Sequence, residues 1–260
     1  MRFVRYQNSN GGIEYGWSFN DRGSTFIGSI EGTPYSEFQR QEAKIPIEDV
    51  KLLAPVHPTK IICIGRNYSA HAKEHNNDVP DLPLIFLKPP SSIIGPEAKI
   101  YLPPQSQQVE HEAELVIVIS RKGRWISTDA ALEYVLGYSI GNDITARDLQ
   151  RSDGQWTRAK GFDTFCPVGP WIETDFDPAD ALITCYVNGE MRQMATTRDM
   201  VFSIRQLIAF ITSVMTLEAG DLILTGTPAG VGQLNHGDTL ETRIEGIGTL
   251  RNYVVAESNA

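Results

Sequence analysis

The chain has 260 residues, 41% of them hydrophobic, enough to bury one large core. Its formal net charge of −9, with no run of lysine or arginine to offset it, excludes nucleic acid and anionic membranes as expected partners. Cys63, Cys166 and Cys185 are odd in number, widely spaced and in no Cys-x-x-Cys pair, which excludes a disulfide framework or a thiolate zinc site and fits a reduced cytoplasm.

Met1 to Asn8 lacks an apolar core of signal-peptide length, and no apolar stretch approaches a membrane span, so a soluble, unexported protein is expected. Residues 1–57 alternate short apolar pieces with turn clusters such as Asn8-Ser9-Asn10-Gly11-Gly12, and predict a small N-terminal β-rich domain ending in the linker Ala54-Pro55-Val56-His57-Pro58. The main domain, residues 58–260, opens with a strand at Ile61–Ile64, a short helix around Ala70–Glu74 and a strand at Leu84–Leu87. His71 and Glu74, three apart, share a helical face, where a carboxylate can orient an imidazole and raise its basicity, although a solvated surface pair has the same spacing. The polar stretch from His71 to Asp81, with Asn76-Asn77-Asp78 at its centre, suits either a lid or a plain loop.

Leu115-Val116-Ile117-Val118-Ile119 is a β-branched apolar run that predicts a buried strand. At its head Glu112 and Glu114 point to one face, and Asp143 follows in Gly141-Asn142-Asp143-Ile144-Thr145. Carboxylates crowded into a buried sheet need a compensating cation, and an all-oxygen set reads as a site for a hard divalent metal. Glu110 has the same parity, so spacing alone does not choose the ligands, and a solvent-facing strand end also fits Glu-x-Glu.

A helix is predicted from Ser127 to Leu136. A helical turn over Thr145–Gln150 would bring Asp143, Arg147 and Gln150 to one side, Arg147 as a fork for a carboxylate or as a surface ion-pair partner. Lys160 lies in Arg158-Ala159-Lys160-Gly161-Phe162-Asp163. Further on come an Asn188-Gly189 hairpin, an amphipathic helix capped by Ser203 and a strand at Leu222–Leu224. Gly226-Thr227-Pro228-Ala229-Gly230-Val231-Gly232 lacks both the P-loop and the dinucleotide fingerprint, but its backbone N–H groups could meet an anion. Strands outnumber helices without βαβ alternation, which predicts a mixed, mainly β domain.

The ordered set Gly65-Arg66-Asn67-Tyr68, His71, Glu74, Phe86-Leu87-Lys88-Pro89, Glu112-Ala113-Glu114, Asn142-Asp143-Ile144-Thr145-Ala146-Arg147-Asp148, Lys160-Gly161-Phe162-Asp163, Val187-Asn188-Gly189-Glu190 and Thr225-Gly226-Thr227-Pro228 resembles the fumarylacetoacetate hydrolase family from about Lys60 to Val255. The resemblance implies an α+β, mainly β fold, the mixed β-sandwich roll of that family, and usually a homodimer. It implies Mg²⁺, with Mn²⁺ or Ca²⁺ as substitutes, on Glu112, Glu114 and Asp143. It further implies His71 and Glu74 for water activation, Lys160, Arg147 and Gln150 at the reacting oxygens, and Thr227 at the substrate. Arg66, Lys88, Arg147 and Lys160 are the cations available to balance a dianionic substrate. The larger N-terminal domain and extra aspartate of the longer family members are missing, so the chain resembles the short bacterial acylpyruvase and 2-hydroxyhepta-2,4-diene-1,7-dioate isomerase type. The activity expected is metal-dependent carbon–carbon hydrolysis of an acylpyruvate or related β-diketo acid. The alternative is decarboxylation or tautomerisation of oxaloacetate or of a hydroxyheptadienedioate.

Overall fold

The computed structural model describes residues 1–74, 76 and 78–257. Among these, three β-sheets carry the chain, the largest of 13 strands. Its centre is the strand Ala113–Ile119, flanked by Val135–Asn142 on one side and Leu222–Leu224 on the other, both antiparallel to it. Every residue of Ala113–Ile119 is buried. The alternation of the pleat sends Leu115, Ile117 and Ile119 into one apolar cluster and Val116 and Val118 into a second, so the strand is sealed on both faces. Burying each such side chain contributes about 1.5–3 kcal/mol, which makes this strand a firm support for the residues at its head.

Beyond Leu222–Leu224 the sheet continues through Ile61–Gly65 and Leu84–Lys88. In the other direction it passes through Cys166–Glu173 to Arg2–Gln7, where Arg2 faces Glu173 and Phe3 faces Ile172, and then to the hairpin of Ile13–Asp21 and Ser24–Gly32. A five-stranded sheet of Lys99–Leu102, Gly248–Ala256, Thr239–Ile244, Leu182–Val187 and Glu190–Thr196 shares the first cluster through Ile183, Leu240, Ile244 and Leu250. This is the mainly β layered roll expected. A small sheet of Thr145–Ala146, Val109–His111 and Gly232–Gln233 closes one end.

Four α-helices are found among the described residues: α1 (Ser69–Glu74), α2 (Arg147–Asp153), α3 (Thr157–Lys160) and α4 (Ile204–Val214). Ser203 caps α4 in a capping box with Gln206, while Leu207, Ile208 and Ile211 turn inward. The hairpin at Asn188-Gly189 has both residues at positive φ, 54° and 80°, as a two-residue turn of matching twist requires. The helix expected over Ser127–Leu136 is not present. Only the single 3₁₀ turn Ala131–Tyr134 forms, and Val135 opens the strand whose register pairs it with Ile119. A β-branched residue beside an open sheet edge gains ladder hydrogen bonds that an isolated helical turn does not supply. No helix among the described residues is long and apolar enough to cross a membrane.

Candidate active site

The metal-type carboxylates come together where two strands of the main sheet end. Glu112 sits in the break between Val109–His111 and Ala113–Ile119; its N–H donates to Asn142 Oδ1 at 2.8 Å, and its carbonyl accepts from Asp143 N at 2.8 Å. These two bonds fix Asp143, at the exit of Val135–Asn142, against the head of the neighbouring strand. Glu112, Glu114 and Asp143 are all buried, with one carboxylate oxygen from each within 4.8 Å of the others. Asp143 therefore reaches the site from a strand end and not from a helical turn. Thr145–Ala146 pairs as a strand with Val109–Glu110, and α2 starts only at Arg147.

Three buried cations answer these acids. Lys160 Nζ donates to Glu112 Oε2 at 2.8 Å and Asp143 Oδ2 at 2.7 Å, and Lys88 Nζ donates to Asp143 Oδ1 at 2.6 Å. The Arg147 guanidinium binds Glu112 Oε1, Glu110 Oε2 at 2.7 Å through Nε, and Gln150 Oε1 at 2.6 Å through Nη1. Glu110 is thereby turned to Arg147, and the acids whose oxygens gather within 4.8 Å of one another are Glu112, Glu114 and Asp143. Arg147 is committed to buried carboxylates, not to a surface pair with Asp148, whose side chain accepts from Ser106 and from Gln107 N.

Glu114 differs from its neighbours. Gly226 N donates to its Oε2 at 2.6 Å, and no lysine or arginine among the described residues is ion-paired with it. Burial and the adjoining charges of Asp143 and Glu112 push its carboxyl well above the usual range, against the pull of Lys160. Burial also opposes ionisation of Glu112, but Lys160 and Arg147 outweigh it and hold that carboxyl far below its ordinary value. Lys160 shows the same balance in reverse: burial disfavours its charge, and Asp143 and Glu112 more than restore it. Four acids face three cations here, and the uncompensated one is Glu114. An all-oxygen, anionic donor set with one carboxylate lacking a counter-charge fits a hard divalent cation, with Glu112, Glu114 and Asp143 as its holders.

His71, on α1, lines the same cavity, of about 250 Å³, as these carboxylates, together with Arg66, Arg147, Gln150, Lys160 and Thr227. Glu74 stands behind it, with Oε2 3.4 Å from His71 Nδ1. Within the lid or loop segment, His75 and Asn77 lie outside the described residues. The glycine-rich turn does present N–H groups to anions, and the anions belong to the chain: Gly226 N meets Glu114, and Gly230 N meets Glu74 at 3.0 and 3.2 Å. Both glycines adopt positive φ, 96° and 98°. A Cβ at Gly226 would stand 2.8 Å from Asn67 Cβ, and one at Gly230 would collide with the Arg192 carbonyl.

Thr227 spends its hydroxyl proton on Ala113 O at 2.9 Å and accepts from Gln193 Nε2 at 2.8 Å, so that hydroxyl has only a lone pair left to offer. Gln193, fully buried in the edge strand Glu190–Thr196, also donates to Pro228 O and accepts from Ala113 N and from the side of His111. Sequence reasoning missed it, because its partners lie more than thirty residues away; its only local signal is a polar residue at an inward phase of a strand. Also missed were Phe86 and Trp156, whose rings meet edge-on at 5.1 Å in the cavity wall, and Arg151, one helical turn after Arg147 on α2.

Residues 60–255 match the model of the fumarylacetoacetate (FAA) hydrolase C-terminal domain, and residues 1–55 match the Rv2993c-like N-terminal model. The chain belongs to the fumarylacetoacetate hydrolase family. An uncharacterized protein of Methanocaldococcus jannaschii is 54% identical over 82% of this chain and 90% of its own length. The mitochondrial oxaloacetate tautomerase Fahd2a of Rattus norvegicus is 44% identical over 81% of this chain and 71% of its own. The crystal structure of 2-hydroxyhepta-2,4-diene-1,7-dioate isomerase from Mycobacterium marinum superposes with a TM-score of 0.92 at 45% identity, covering 100% of both chains. The fold is thus that of the fumarylacetoacetate hydrolase family, and its small cavity suits a small-molecule substrate.

Proposed function

We propose that the chain catalyses metal-dependent keto–enol conversion of a 2-oxo acid, with oxaloacetate-type enols or hydroxydienedioates as substrates. The observation that carries this reading is the meeting of three buried carboxylates, one without a cation, on the wall of a cavity that also holds His71 and Lys160. Glu112, Glu114 and Asp143 would hold a divalent cation such as Mg²⁺ or Mn²⁺, which would supply Lewis acidity toward the 2-oxo acid and lower the cost of negative charge there. His71 delivers a proton to C3 of the enol, or removes one from C3 of the keto form, while the 2-oxygen loses or gains its proton through solvent, so that the conversion is proton-neutral. His71 Nδ1 lies 3.4 Å from Glu74 Oε2, a carboxylate that orients the ring and raises its basicity. Glu74 is itself anchored by Gly230 N. Lys160 and Arg147 hold positive charge beside the developing enolate. Gln150, its Oε1 occupied by Arg147, has its Nε2 hydrogens left to donate. The rat relative, an oxaloacetate tautomerase, and the mycobacterial isomerase support this chemistry.

A second reading, hydrolytic release of pyruvate from an acylpyruvate, is favoured by the same His71–Glu74 pair, which can deprotonate water as well as carbon. Residues 58–260 form the catalytic unit in either reading, residues 1–57 brace its sheet, and the working protein is a homodimer, which sedimentation checks. The deciding experiment follows enol absorbance of oxaloacetate and pyruvate release from acetylpyruvate, with chelator and with added Mg²⁺ or Mn²⁺. Metal-dependent loss of the oxaloacetate enol without pyruvate formation supports the tautomerase. Turnover confined to acetylpyruvate, with pyruvate released, replaces it with the hydrolase.

A further inference from the structure

Every charged group deep in the cavity is matched by a neighbour or by the cation site, but two at its wall are not. Arg66 forms no hydrogen bond or ion pair with any described residue, and Arg151 only donates to the neutral Gln108 Oε1, at 3.0 Å. By contrast Lys88, Lys160 and Arg147 each bind a buried carboxylate. Arg66 is also held at φ 58°, a left-handed conformation that a residue with a side chain adopts at a cost, and such strain gathers at ligand-binding positions. The residue before it, Gly65, allows this approach, because a Cβ there would stand 2.9 Å from the Trp156 ring. Arg151 follows Arg147 by four positions, so α2 turns it to the same side.

We infer that Arg66 and Arg151 form a subsite for a second carboxylate, which makes this chain selective for 2-oxo dicarboxylates over 2-oxo monocarboxylates; the inference rests on the keto–enol reading of the site. The wall carries three carboxylates and four basic side chains, and a dication at the acidic end leaves an excess of positive charge that a dianion neutralises better than a monoanion. Planar guanidinium groups suit a carboxylate, since each can offer it two parallel N–H donors.

Oxaloacetate and acetylpyruvate test this, because they share the 2-oxo acid and enol and differ in whether C3 carries a carboxylate or an acetyl group. The ratio of their kcat/KM values for enol loss is measured in the wild-type chain, in Arg66→Gln, in Arg151→Gln and in the double variant. Each substitution lowers the ratio about tenfold, the size of one charge-assisted hydrogen bond, and the Lys variants recover part of it. A double variant whose ratio stays within about twofold of wild type overturns the subsite. Calorimetry with the difluoro analogue of oxaloacetate and with its distal methyl ester gives a second readout without turnover. If the wild-type chain consumes neither enol, the keto–enol reading falls, and the calorimetry still decides the subsite: loss of the analogue's advantage over its ester in the double variant supports it, and an unchanged advantage overturns it.

Discussion

Replacing Glu114 with glutamine tests the electrostatic reasoning at the carboxylate cluster. In the metal-free protein Glu114 Oε2 keeps its bond from Gly226 N, and a glutamine oxygen can accept that bond equally well. What changes is charge. With oxygens of Glu112 and Asp143 within 4.8 Å, each like-charge pairing costs about 3.5 kcal/mol at an effective dielectric of about 20, before Lys160 offsets part of it. Protonation caps the cost: taking up a proton at pH 7 against the ordinary glutamate value of 4.5 costs about 3.4 kcal/mol. Allowing about 1 kcal/mol for the new amide hydrogens, Glu114→Gln stabilises the metal-free protein by about 2 kcal/mol at neutral pH. That corresponds to a rise in Tm of roughly 4–8 °C for a chain of this size. The sign with pH follows from the raised carboxyl. Glu114 imposes nothing below its unfolded value of 4.5, and its penalty grows as pH rises, so the advantage of the variant vanishes toward pH 4.5. Scanning calorimetry with chelator and with excess Mg²⁺ reads both effects: Mg²⁺ raises the Tm of the wild type and leaves the variant almost unmoved. A metal-free variant that melts at or below wild type at neutral pH, while still responding to Mg²⁺, refutes the reasoning.

Because the Glu114 carboxyl is pushed up, Mg²⁺ binding near neutral pH releases up to about one proton, seen as a buffer-dependent heat in titration calorimetry; equal heats in buffers of different ionisation enthalpy contradict this. Arg147→Ala strands the buried carboxylates of Glu110 and Glu112 and lowers stability by about 3–5 kcal/mol in urea unfolding. Arg147→Lys recovers only part of that, since a lysine cannot reach Glu110, Glu112 and Gln150 in one geometry. His71→Gln lowers kcat for enol loss by about 10²–10⁴-fold with a much smaller change in KM; an unchanged kcat removes His71 from proton transfer.

What could be read ahead of the structure followed from how local each signal was. The buried strand Ala113–Ile119, the Asn188-Gly189 hairpin and the Ser203 cap are each specified by neighbours within a few residues, and each forms as expected. Ser127–Leu136 was misread because Val135 answers to Ile119, sixteen positions earlier, and not to its own helical pattern. The acids and bases of the site were visible as residue types, but not their pairing. Nothing in the spacing shows that Arg147 would bridge Glu110 and Glu112, or that Lys88 would reach Asp143 across fifty-five residues. Gln193 illustrates the limit, since four of its contacts are made with Ala113, His111, Thr227 and Pro228, none near it in the chain.

The turn Gly226–Gly230 joins the two halves of the proposed chemistry. Its first N–H holds Glu114, a proposed cation ligand, and its last holds Glu74, which orients His71. An ionised carboxylate accepts a hydrogen bond more strongly than a protonated one, so the grip of Glu114 on Gly226 depends on the charge state of the carboxylate cluster. The turn between the two bonds has little freedom to absorb a change at one end. Gly226 packs on Asn67, whose side chain is fixed by Phe202 N and Thr225 O; Thr227 is fixed by Ala113 and Gln193; and Gly230 packs on Arg192. The proposed cation ligand and the partner of the proposed base are therefore held by one short backbone segment. That is a physical reason for both glycines to stand where no side chain could.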